Sequence, residues 1–202
     1  MRTTEHRPNA RERSRMETRR LLLEAGARVF AEKGMARTRP ADISRAAGVA
    51  VGTLYLHFHD KEVLLREILF RALAELRARL HRILETPHAS VAEAVRHQVE
   101  TMVCLAEEHP ALCRILFSTE VASTAIGTEV LNLLAGMQEE GLRAGMAEGY
   151  FRSDVDPAVA AQTLVGMQMH VLSWWTRDPS VAPREVVIDT LTKVRLSGLH
   201  PA

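Results

Sequence analysis

Thr38-Arg-Pro-Ala-Asp-Ile-Ser-Arg-Ala-Ala-Gly-Val-Ala-Val-Gly-Thr-Leu-Tyr-Leu-His-Phe-His-Asp-Lys61 is the stretch that decides the fold. Pro40 suits the first turn of a helix, where its missing N–H would have no partner anyway. Ile43, Ala46 and Ala47 give that helix an inner side, Gly48 reverses the chain and Val49 starts the turn. A second short helix follows, and Asp60 is a good N-cap for a long third one. Two short helices around a tight glycine turn are the build of a helix-turn-helix, whose second helix enters the major groove of DNA. Ala50, Val51, Gly52 and Thr53 then form the exposed leading end of that second helix. Ala50 and Val51 can touch a thymine methyl, Gly52 lets the backbone come close, and Thr53 can hydrogen-bond a base or a phosphate. Thr38 and Arg39, which open the first helix, join the DNA-contacting set. Tyr55, His57, His59 and Lys61 offer donors at the groove's rim for phosphate oxygens. Phe58 is assigned to the core.

Outward from this stretch, helical periodicity dominates. Leu22, Ala25, Gly26, Val29 and Phe30 recur at i, i+3, i+4, i+7 and i+8, and Gly34 closes that helix. Residues 1–14, polar and rich in arginine, read as an arm. Leu65, Leu69, Ala72, Leu76, Leu80 and Ile83 keep one apolar stripe along a helix predicted from Asp60 to about residue 84. Thr86-Pro87, His109-Pro110 and the turn at 149–156 separate further helices, and residues 118–128 are expected to form a loop. A helix opened by Pro157 and a last one opened by Arg184 complete the chain. No segment alternates like a strand. The expected fold is all-α with about nine helices: residues 1–61 as a DNA-binding helix-turn-helix domain with its arm, residues 62–202 as a ligand-sensing and dimerisation domain.

At 202 residues with 47% hydrophobic side chains, the chain has ample material for a core. Its net charge of +1 hides an asymmetry. Residues 1–61 hold 13 Lys and Arg against 7 Asp and Glu, whereas residues 62–202 hold 13 against 18. A basic front rich in arginine, on an acidic back, fits a polyanion-facing module attached to something else. Cys104 and Cys113 lack metal-site spacing and read as free thiols of a reducing cytoplasm. Neither a secretory signal nor a run of about 18 apolar residues is visible, so no membrane partner is expected.

The chain resembles the TetR family of bacterial transcriptional regulators. The likeness rests on Ala25-Gly26, Phe30-Ala-Glu-Lys-Gly34, Asp42-Ile43-Ser-Arg-Ala-Ala-Gly-Val49, Gly52-Thr-Leu-Tyr-Leu-His-Phe58 and Asp60-Lys61-Glu-Val-Leu64. These motifs cover the first third. The remainder resembles the family in layout only. The resemblance implies a homodimer that binds a palindromic operator, usually represses, and is released from DNA by a small ligand in the C-terminal domain. It also implies phosphate contacts by Tyr55 and Lys61. The sequence departs from the family at Arg39-Pro40, where a capping Thr or Ser is common, and at His57, often Tyr.

In the C-terminal part Met102, Met137, Met167, Phe117 and Trp174 could line an adaptable, largely apolar effector pocket, with His97, Gln168 and His170 orienting a polar group. Plain core is the competing reading for the same side chains. Gly166 and Ser173, with Val187, Leu191 and Val194, mark a candidate four-helix dimer interface. A metal site from His97, Cys104, Cys113 and His170 lacks ligand spacing on any one helix, and no metal or cofactor is expected. No nucleophile elbow, zinc-protease motif or phosphate loop is present, so an enzyme is disfavoured. A helical protein-interaction module or a transcriptional activator remain the alternatives to a repressor.

Overall fold

The computed structural model describes residues 9–116 and 118–199, apart from the side chains of Leu84 and Thr119. Phe117, one of the expected pocket residues, lies outside the described residues, as does most of the expected arm. The described residues form ten α-helices and no strand. They are α1 Ala10–Lys33, α2 Pro40–Ala46, α3 Val51–Tyr55, α4 Lys61–Glu85, α5 Val91–Glu108, α6 Pro110–Leu116, α7 Thr119–Ala122, α8 Ala125–Ala147, α9 Pro157–Arg177 and α10 Arg184–Leu199. The chain divides into two compact units, one ending at Ile68 and the other beginning at Leu69.

In the N-terminal unit, α1 starts earlier than its apolar stripe suggests. The Asn9 side chain accepts from the Glu12 N–H at 2.9 Å, and the Glu12 carboxylate accepts from the Asn9 N–H at 2.7 Å. That reciprocal cap carries the polar residues 10–14 into the helix. The stripe itself is inward: Leu22, Ala25, Gly26, Val29 and Phe30 are all buried. Gly26 is where α4 comes close, because a Cβ there would lie 2.4 Å from Leu64 Cδ2. Ile43, Leu54, Phe58, Leu65 and Ile68 fill the rest of this core.

The C-terminal unit is a bundle in which α9 packs on α8, α6 and α5, and α10 packs on α5. The stretch expected as a loop, 118–128, holds α7 and the first turn of α8. Thr124 caps α8 by accepting from the Gly127 N–H at 3.1 Å. Gly127 permits the tight join, since a Cβ there would lie 2.0 Å from the Val121 carbonyl oxygen. No described helix is long and apolar enough to cross a membrane.

Candidate functional site

The turn between α2 and α3 has a Schellman end. Gly48 sits at φ +70° and donates to the Arg45 carbonyl at 3.2 Å, while the Val49 N–H donates to the Ser44 carbonyl at 3.0 Å. Nothing crowds the Gly48 Cα, so the left-handed backbone alone calls for glycine there. The turn fixes which side of α3 faces in. Leu54 is buried, whereas Ala50, Val51, Gly52 and Tyr55 are exposed and Thr53 is half-buried. Val51 and Tyr55 are four residues apart and share an exposed side of the helix. Next to them Leu56 is 75% exposed, an apolar contribution the sequence reading missed.

Three expected DNA contacts are engaged inside the unit. Thr38 is buried: its hydroxyl donates to the Gly34 carbonyl at 2.6 Å and its N–H to Met35 O at 3.3 Å. It stabilises the α1–α2 connection and has no side-chain group left for a phosphate. Lys61 Nζ donates to the carbonyls of Met35 at 2.8 Å, Ala36 at 3.4 Å and Thr38 at 3.1 Å. Those three oxygens take up the ammonium's three donors, and they offset the unfavourable placing of a cation at the start of α4. Lys61 therefore ties the α1–α2 loop to α4 and is not a free donor at a rim. His57 is half-buried, its Nδ1 sealed from solvent without a hydrogen-bond partner among the described residues. Burial, then the neighbouring charges of Arg19 and Arg15, hold its pKa below the usual 6.5. The carbonyl of His57 accepts from Arg19 Nη1 at 2.8 Å, and that guanidinium lies 4.3 Å over the Phe58 ring while pairing with Glu67.

Arg39 is exposed at the N-cap of α2, and its N–H donates to Asp42 Oδ2 at 3.1 Å. A hydrogen bond from Lys33, reinforced by that backbone N–H, holds the Asp42 carboxyl below the usual range. Arg45 is the other exposed cation of α2, 3.7 Å from Asp42 and absent from the expected set. Its place on the polar side of α2 was the available signal. Asp60 caps α4 as expected, accepting from the Val63 N–H at 2.7 Å.

The C-terminal unit contains a cavity of about 840 Å³ whose walls come from α4, α5, α8, α9 and α10. Met102 and Met137 line it as expected, and His88, another lining residue, brings its ring centroid within 5.2 Å of that of His97. Gln168 is buried behind it, accepting from the lining Gln138 at 3.4 Å, with its own Nε2 unpartnered among the described residues. Met167 packs instead against a small cluster of Leu142, Ala161, Leu164 and Leu199. His170 and Trp174 face outward, and Trp175 is the buried neighbour, donating to the Ala182 carbonyl at 2.9 Å. Most of the lining residues lay outside the expected set, and Arg195 is the buried cation among them.

Of the expected interface residues, Ser173, Val187 and Leu191 are buried in the chain's own core, which removes them from a partner's reach. Gly166 and Val194 are exposed. His97, Cys104, Cys113 and His170 are not gathered: Cys104 accepts from Arg184 at 3.1 Å, Cys113 is buried and His170 is exposed. Glu75, Glu108 and His109 do bring ligand-type atoms within 4.8 Å of one another. Arg79 already pairs with both carboxylates, which supplies the positive charge that cluster needs.

A helix-turn-helix with a small, apolar, exposed leading end is the unit of a DNA-binding protein. Comparison with known proteins agrees. The family described as bacterial regulatory proteins, tetR family, matches residues 22–68. The transcriptional repressor KstR2 of Rhodococcus jostii is 30% identical over 182 residues, covering 87% of this chain and 86% of that one. The structure of the ketosteroid transcriptional regulator KstR2 of Mycobacterium tuberculosis shares 26% identity at TM-score 0.70, over 97% of this chain and 98% of its own. FadR of Bacillus subtilis, solved with stearoyl-CoA, shares the fold at TM-score 0.75 and 21% identity, over 90% of this chain and 99% of its own. The chain is a DNA-binding transcription regulator and not an enzyme. It belongs to the TetR family.

Proposed function

We propose that the chain works as a homodimeric repressor which reads a palindromic operator through α3 and leaves it when a small molecule enters the C-terminal cavity. The observation that carries this reading is the exposed, uncharged side of α3, formed by Ala50, Val51, Gly52 and Tyr55 while Leu54 anchors the helix from behind. Small apolar groups at the leading end suit thymine methyls, and Thr53 and Tyr55 supply hydroxyls for a base edge and a phosphate. Arg39 and Arg45 are the exposed cations available for the backbone on the α2 side. Thr38, His57 and Lys61 act indirectly, by holding the helices that carry these groups. Residues 1–68 serve as the reading head and the rest as the sensing and dimerising body.

Dimerisation is assigned to the outward sides of α9 and α10. Val159, Gly166, His170 and Trp174 recur along one side of α9, and Val186 and Val194 along one side of α10. Two such helices from each subunit make a four-helix interface. Two heads then meet successive major grooves about 34–36 Å apart, and a ligand preferring another spacing releases the DNA. FadR of Bacillus subtilis, which shares the fold, is solved in complex with stearoyl-CoA, and this supports a small-molecule role for the cavity. Acting on chromosomal DNA puts this work in the bacterial cytoplasm.

Selecting bound duplexes from random DNA tests the reading. Enrichment of an inverted repeat, bound by two chains with affinity falling steeply as salt rises, is the expected result. Absence of any enriched sequence would overturn it.

A further inference from the structure

Arg195 is only 5% exposed, lines the large cavity, and has Nε and Nη1 sealed from solvent without a hydrogen-bond partner among the described residues. Buried arginines are rare unless paired, because removing a guanidinium from water is costly without compensating hydrogen bonds. Burial pushes its pKa down to about 10, which still leaves it a cation at neutral pH. The carboxylates that line the same cavity, Glu140 and Glu148, are exposed and form no ion pair with it. Leu76, Val95, Met102, Leu134 and Val165 give the wall a buried apolar part, while Arg77 and His81, also lining, are exposed. Gln98 and Gln138 add amide groups that can share a ligand's polar end.

We propose that this cavity takes an amphipathic anion, an apolar body bearing one carboxylate or phosphate group, and that Arg195 is the residue that binds the anionic end. The planar guanidinium presents its donors in the arrangement that pairs with carboxylate or phosphate oxygens. The cavity volume falls within the range of small-molecule sites, and its walls suit a hydrocarbon chain or fused rings. A neutral ligand of the same shape would leave the charge uncompensated. This inference rests on the effector-sensing reading above and specifies the chemistry of that effector.

The test titrates decanoate, decyl phosphate and decanol into the full-length protein, the Arg195→Met variant and the Arg195→Lys variant, reading binding by calorimetry and operator affinity by anisotropy. Methionine keeps most of the side-chain volume without the charge, and exchanging a buried charge for an apolar group of like size is often neutral or stabilising. The wild type should bind at least one of the two anions about tenfold or more tightly than decanol. Arg195→Met should erase that preference while still binding decanol, and Arg195→Lys should keep part of it. Preference for decanoate over decyl phosphate, or the reverse, identifies the headgroup. Equal binding of anion and alcohol, an anion preference that survives in Arg195→Met, or no binding of any probe would overturn the proposal. Anion binding through Arg195 with unchanged operator affinity would uphold the site and sink the effector reading alone.

Discussion

Two arginines separate the units of this molecule. Arg19 in the N-terminal unit pairs with Glu67, donates to the His57 carbonyl at 2.8 Å and lies over the Phe58 ring. Arg195 in the C-terminal unit is more deeply buried and has Nε and Nη1 without partners among the described residues. Around Arg19 and Lys61 the head uses its cations internally, to hold α3 and α4 in fixed relation to the loops between them. The body instead lines a large cavity with a buried arginine that forms no ion pair among the described residues. A reading head needs a rigid geometry that presents side chains outward, whereas a sensor needs an interior whose energy changes when a ligand enters.

The largest expected effect probes packing. Phe58 is 1% exposed, so Phe58→Ala should destabilise the chain by about 3–5 kcal/mol in urea unfolding. Met137→Ala on the cavity wall should cost less than about 1.5 kcal/mol, because it removes atoms beside space that is already open. Comparable losses at the two positions would erase the contrast between a filled head and a hollow body. A smaller effect separates the arginines. Arg19→Met should destabilise by about 1–2 kcal/mol through its lost partners, discounted for partial exposure. Arg195→Met should leave the melting temperature of the ligand-free protein unchanged or raise it. The reverse order would mean that Arg195 has a structural partner.

The smallest expected effect is in pH. Burial favours the neutral form of His57, so its folded pKa lies below 6.5 and the unfolded chain takes up that proton first as pH falls. The stability associated with the neutral ring is present above 6.5 and is lost as pH drops through the folded pKa. In His57→Gln, the loss of stability between about pH 7.5 and about pH 5.5 should be smaller than in the wild type. An identical loss would show that His57 is solvated as freely in the folded chain as in the unfolded one.

What the sequence disclosed depended on how local each signal was. The Gly48 turn, the Asp60 cap and the α1 stripe are set by neighbouring residues, and they stand in the structure as read. Whether a donor faces DNA or a carbonyl of its own chain depends on distant segments. Lys61 is engaged by residues 23–26 positions away, and Thr38 is covered by the fold. On α9 a shift of one residue decided the outcome: Trp175, not Trp174, points inward. Arg195 left a trace that was overlooked, for it continues the buried series Val187, Leu191 and Leu199 on α10. A cation in an inward-facing stripe is a cue to look for its counter-ion. The stretch expected as a loop, 118–128, is largely helical, because the missing side chain of Gly127 lets α8 start against Val121.

The central claim is that the exposed side of α3 reads DNA, and Val51→Glu tests it most directly. Val51 is 40% exposed and outside the core, so a carboxylate there leaves the fold intact while placing negative charge against the groove. With the selected operator duplex and anisotropy as the readout, the account predicts a loss of affinity of at least about a hundredfold at unchanged thermal stability. Operator affinity equal to that of the wild type would contradict it.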